Sequence, residues 1–88
     1  VGGTSNDNVT LGSQVTTGTI DLGAGVDSLT LGNFANTVTL TNIETITGSA
    51  NNDIVTLGAA ITNGLIDLGA GTDTLNLAAF AHTVTVSN

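Results

Sequence analysis

Residues 6–12 read NDNVTLG and residues 52–58 read NDIVTLG. Residues 20–25 and 66–71 both read IDLGAG, and TVTLTN at 37–42 is matched by TVTVSN at 83–88. Every one of these pairs is separated by 46 positions. Roughly half of all residues paired by that shift are identical, so the chain is an internal repeat. Repeat 1 covers 1–46 and repeat 2 covers 47–88, the second stopping about four residues short of a full period. The missing piece is expected to resemble Ile43-Glu44-Thr45-Ile46, and the parent chain is expected to run on at both ends.

Inside each period, apolar and polar residues alternate. Val9-Thr10-Leu11, Ile20-Asp21-Leu22, Leu29-Thr30-Leu31 and Val38-Thr39-Leu40 return as Val55-Thr56-Leu57, Ile66-Asp67-Leu68, Leu75-Asn76-Leu77 and Val84-Thr85-Val86. Branched aliphatics alternating with Thr predict half-buried β-strands, and no stretch sustains a helical period. Gly, Asn, Asp and Ser gather between the runs, as turns require. Short strands with regular turns fit a β-sandwich. They also fit a parallel β-solenoid, whose coils stack on one another. A sandwich needs unlike strands at centre, edge and corner, whereas a repeat implies equivalent places along an axis. The expected fold is therefore all-β, a parallel β-solenoid (β-roll or β-helix) whose 46-residue repeat consists of two unequal coils of 20 and 26 residues.

Composition narrows the function. The 88 residues carry seven acidic groups and no Lys or Arg, for a net charge of −7. A chain without cations cannot displace counterions from nucleic acid, and it has no basic patch for an anionic membrane. No apolar run approaches the ~18 residues of a membrane span. Cys is absent, which excludes disulfides, thiol nucleophiles and Cys-zinc sites. Aliphatics are plentiful, so the composition is not that of a disordered segment. Aromatics make up only 2% of the chain, which suits a narrow interior. Ser and Thr abound, but no base accompanies them and His82 is the single histidine. Carboxylates at repeat-equivalent positions point to structure, so no enzyme is expected.

A shorter similarity lies within the period. Residues 2–10 read GGTSNDNVT, 22–30 LGAGVDSLT, 48–56 GSANNDIVT and 68–76 LGAGTDTLN. Each is a Gly-rich turn, then Asp, any residue, and an aliphatic. These segments resemble the RTX family, the calcium-binding nonapeptide repeats G-G-x-G-x-D-x-U-x of secreted bacterial proteins. They also resemble the loosely related tracts of very long bacterial surface proteins, in which segments such as NIETITGSANND recur. On that resemblance Asp7, Asp27, Asp53 and Asp73 would hold calcium, with Asn6, Asn52 and the turn glycines Gly23, Gly25, Gly69 and Gly71 contributing. The pattern departs from the family in several places. Ser5 and Asn51 stand where Gly is expected, Leu22 and Leu68 replace the first Gly, and Ser49 replaces the second Gly of its motif.

Strand parity bears on the same residues. Each motif Asp lies two positions before an inward aliphatic, so its carboxylate faces the core, whereas Asp21 and Asp67 face out to solvent. Coils stacked about 4.8 Å apart bring Asp7 and Asp27 together, where they repel unless a cation lies between them. Calcium suits an all-oxygen set, and no His or Cys stands at the motif positions for zinc or copper. The other reading of the same aspartates is turn chemistry, with Asn6-Asp7 and Asn52-Asp53 as Asx turns.

Phe34 and Phe80 recur at the period and are expected to plug the edge of the core. Thr37, Thr39 and Thr41, with Thr83 and Thr85, would form Thr rows occurring once per period. The expected role is a structural calcium-binding repeat that extends or stiffens a secreted or cell-surface adhesin, fibre or surface-layer protein. Its partners would be adjacent repeats of the same chain, with end-to-end association into filaments through the exposed strand edges. The alternatives are a calcium-triggered folding and secretion module of an enzyme or toxin, and an ice-binding solenoid with a flat Thr face.

Overall fold

The computed structural model describes residues 2–61, 64–77 and 84–87. Nine strands follow one another: β1 (Asn8–Thr10), β2 (Thr19–Asp21), β3 (Ser28–Thr30), β4 (Thr37–Thr41), β5 (Thr45–Ser49), β6 (Ile54–Leu57), β7 (Gly64–Gly69), β8 (Thr74–Asn76) and β9 (Val84–Ser87). Odd-numbered strands form one parallel sheet in the order β1-β3-β5-β7-β9, and even-numbered strands form a second, β2-β4-β6-β8. The chain therefore crosses from sheet to sheet at every turn and climbs one strand per coil. This is a β-solenoid of about four coils.

The alternating pattern explains the interior. In the five-stranded sheet, Val9 pairs with Leu29, Leu29 with Ile46, Ile46 with Ile66, and Ile66 with Val86. Ile20 pairs with Leu40 in the other sheet, and Val38 pairs with Val55, which pairs with Leu75. These aliphatic columns face each other across a thin core. Leu29, Leu40, Ile43, Ile46, Val55, Leu57 and Ile66 are its most fully buried members. Leu22 and Leu68, which replace the first Gly of their motifs, are core residues as well. Burying one such side chain is worth about 1.5–3 kcal/mol, so the core columns hold the two sheets together.

The coils are not the expected 20 and 26 residues. Partners in the five-stranded sheet lie 20 residues apart from β1 to β3, 17 from β3 to β5, and 20 at each later step. One 46-residue period therefore holds five strands, or two and a half coils. The strand that the alternation did not announce is β5, TITGS, in which Gly48 follows Ile46 at the next inward position. An odd strand count has a geometric result. Val9 of β1 belongs to the five-stranded sheet, while its repeat mate Val55 belongs to the four-stranded one. Ile20 and Ile66 exchange sheets in the opposite sense. Successive repeats are related by a half-turn about the solenoid axis.

The LGAG turns explain their glycines. Gly23, Gly25, Gly69 and Gly71 have φ of 85°, 120°, 82° and 114°, a region that L-residues avoid. A Cβ on Gly69 would run into the carbonyl oxygen of Ser49, and one on Gly23 into that of Gly3. The turns below them carry no such demand. Ser5 and Asn51 lack positive φ, so the missing glycines at those places cost no strain. Phe34 does not plug the core edge. It is 42% exposed and lies over Gly32, while Phe80 and His82 fall outside the described residues.

Candidate functional site

Two polar columns run up the corners that precede the strands. At the first, the Asp7 N–H donates to Oδ1 of Asp27 at 2.7 Å, and the Asp27 N–H donates to Oε2 of Glu44 at 2.8 Å. At the second, the Asn36 N–H donates to Oδ1 of Asp53 at 3.1 Å, and the Asp53 N–H donates to Oδ1 of Asp73 at 2.8 Å. Below these, the Val15 N–H donates to Oδ1 of Asn36 at 3.0 Å. The return bonds are backbone ones. Ser28, Thr45, Ile54 and Thr74 donate their N–H groups to the carbonyls of Asp7, Asp27, Asn36 and Asp53. Asp27, Asp53 and Asp73 thus each accept an N–H from the coil beneath, just where the strand ladder has yet to begin. Glu44, which the nonapeptide pattern does not contain, caps the first column.

The inward parity of the motif acids holds. Asp27 and Asp53 are both 0% exposed, while Asp7 and Asp73 are half-buried. Their second oxygens differ. Oδ2 of Asp7, of Asp27 and of Asp73 is buried and meets no hydrogen-bond donor. Asp53 is saturated. The Asn36 side-chain amide donates to its Oδ1 at 3.0 Å, and Ser49 offers its N–H and hydroxyl to Oδ2 at 3.1 and 3.2 Å. With the Asn36 N–H, these contacts fill the roughly four acceptor positions of a carboxylate. Ser49 stands in the motif where the other three copies have Gly3, Gly23 and Gly69. The N–H groups of Gly23 and Gly69 are themselves occupied, by Oδ1 of Asp21 and of Asp67.

The remaining candidates have structural tasks. Oδ1 of Asn6 accepts the Val26 N–H at 2.8 Å, and Oδ1 of Asn52 accepts that of Thr72 at 2.7 Å. These side chains bridge to the next coil and so differ from Asx turns closed on their own segment. Asp21 and Asp67 are half-buried and not simply solvated. Asn42, at φ 56°, is the only described non-glycine residue with positive φ, and its amide donates to Oδ1 of Asp21 at 2.9 Å. That amide, together with the Gly23 N–H, holds the Asp21 carboxyl below the usual carboxylate range.

The oxygens of the first corner fit a hard cation in part. Two buried carboxylate oxygens lack donors in a chain with no Lys or Arg, and burying a lone anion is costly. Oδ2 of Asp7 and the carbonyl oxygen of Leu22 also converge on Gly2, where any Cβ would collide with both. Among the described residues, no three His, Cys, Asp or Glu side chains gather at one point. Any ion there must draw on backbone oxygens for most of its shell, as calcium does readily.

The outer faces carry hydroxyls in successive coils, and not once per period as the sequence pattern implied. Thr10, Thr30 and Thr47 form one column of the five-stranded sheet, and Thr19, Thr39 and Thr56 form one of the other. No protein-family model, curated protein or solved structure matches this chain.

Proposed function

We propose that this chain is a structural, calcium-dependent solenoid module, RTX-like in character, that extends or stiffens a secreted or cell-surface bacterial protein such as an adhesin, fibre or surface layer. The observation that carries the reading is the pair of buried, donor-less oxygens on Asp7 and Asp27 in a chain that has no cationic side chain. A divalent cation would neutralise them and couple folding to an environment rich in calcium. The coil-on-coil stacking supplies a reason for such a module to lengthen by adding repeats. Far-UV circular dichroism during a calcium titration, with magnesium as control, tests it. A calcium-specific gain in β-signal or in melting temperature is expected. A β-signal complete in chelator and unmoved by calcium would reduce the acids to turn residues.

Two observations favour further readings. The continuous Thr columns favour an ice-binding face, which measurable thermal hysteresis would support. Leu77 and Val86 leave apolar surface open, at 52% and 50% exposure, on the last coil described. That favours end-to-end stacking on adjacent repeats or on a second copy, and sedimentation at rising concentration would reveal it. The calcium-triggered secretion module of an enzyme or toxin remains the alternative setting for the same chemistry.

A further inference from the structure

The two corners share one backbone scheme but neutralise their buried acids differently. At Asp53 the protein does it alone, through both N–H and side-chain donors of Asn36 and Ser49. At Asp27, itself 0% exposed, one oxygen takes the Asp7 N–H and the other takes nothing. The coil beneath offers a second open oxygen, Oδ2 of Asp7. Asp73 also has an open oxygen, but the acid beneath it is the saturated Asp53. Only the Asp7–Asp27 step presents two open carboxylates in adjacent coils.

We propose that the described coils take one calcium ion, between Asp7 and Asp27, and that Ser49 with Asn36 replaces the ion at the Asp53 corner. This rests on the calcium reading above and narrows it from four equivalent motifs to one. The ion would be bound by Oδ2 of both aspartates and by backbone oxygens, because calcium needs six to eight oxygens and the side chains supply few. Glu44 completes the column by accepting the Asp27 N–H. The Asp53 corner would fold without the ion, and the Asp27 corner would wait for it. Whether the residue four before the acid turns its donors onto it, as Ser49 does and Gly23 does not, then decides whether a motif of this chain is metal-dependent.

Isothermal titration of the full chain with calcium chloride, with magnesium as control, tests this together with amide exchange in chelator and in calcium. One ion per chain is expected. Asp27→Asn should weaken binding by about ten-fold or more, as loss of a charged ligand does. Ser49→Gly alone would leave the backbone N–H on Oδ2 of Asp53, but the double variant Thr47→Asp/Ser49→Gly, which copies the Asp-x-Gly arrangement in which Asp21 and Asp67 occupy the glycine N–H, should free that oxygen beside that of Asp73 and raise the stoichiometry to two. In chelator the amides of Asn36 and Ser49 should be protected and that of Asp7 should exchange freely, calcium then protecting it. Several equal sites in the unaltered chain, or one ion still bound per chain of the double variant, would overturn the inference. If the double variant does not fold, the exchange pattern of the unaltered chain decides, and equal protection of both corners in chelator counts against it. A flat titration in the unaltered chain removes the calcium reading itself, which is a different and recognisable failure.

Discussion

The corner formed by Asp7, Asp27 and Glu44 and the corner formed by Asn36, Asp53 and Asp73 perform the same backbone task. In both, an acid accepts the N–H of the coil below while a carbonyl of that coil accepts the next N–H above. They differ in what faces the spare oxygen. Ser49 gives that of Asp53 an N–H and a hydroxyl, and no donor faces that of Asp27. The lesson is that the backbone scheme alone does not make a buried acid favourable. Its second oxygen must also be answered, because a buried charge without partners costs more than a hydrogen bond returns.

The largest expected effect comes from Asp53→Ala. It orphans the N–H groups of Asn36 and Ser49 at a dry corner, and each orphan costs about 1–3 kcal/mol. A loss near 4 kcal/mol is expected in urea unfolding with chelator present. Asp27→Ala under the same conditions should cost only about 1 kcal/mol, because it removes an uncompensated charge along with one acceptor. Equal losses would break the comparison. Next, Asn36→Asp turns the second corner into a stack of acids and forfeits the amide bonds to Gly32, Phe34 and Asp53. It should destabilise by about 3 kcal/mol, and lowering the pH should restore part of the loss.

A smaller effect separates the glycines of equivalent turns. Gly69→Ala meets both positive φ and the Ser49 carbonyl, so about 2 kcal/mol should be lost. Gly3→Ala points into open space and should stay within about 0.5 kcal/mol on the same thermal melts. Asn42→Ala should cost about 1 kcal/mol from its left-handed backbone. Because the Asn42 amide depresses the Asp21 carboxyl, that bond stabilises above the unfolded carboxylate range, near pH 4. The gap between Asn42→Ala and the unaltered chain should therefore narrow toward the backbone cost alone as pH falls below about 4 and Asp21 takes up its proton. A gap that widens in acid would detach Asn42 from Asp21.

Much of this is legible in the sequence. Alternation announced eight of the nine strands, since Val-Thr-Leu runs carry a period of two wherever two inward aliphatics flank a polar residue. The inward aim of Asp27 and Asp53 followed from the same parity. β5 was not legible, because TITGS buries one aliphatic and then a glycine, too short a pattern to read as alternation. Missing that strand gave two coils per period instead of two and a half. Glu44 was invisible as a column member because it lies 17 residues above Asp27, across the one shortened coil. The sealing of Asp53 was hidden for another reason. Ser49 read as a defect in a glycine pattern, and only the position of its N–H and hydroxyl shows it to be a donor pair.

The half-turn between repeats also bears on mechanics. A rod whose two faces differ bends toward one of them, as a bimetal strip does when its layers strain unequally. Here each 46-residue copy carries the residues of one face over to the other, as Val9 and Val55 illustrate. Any bending moment set by one copy is opposed by the next. An array lengthened in pairs of copies would keep a straight axis whatever the composition of either face, and its curvature would not accumulate with length.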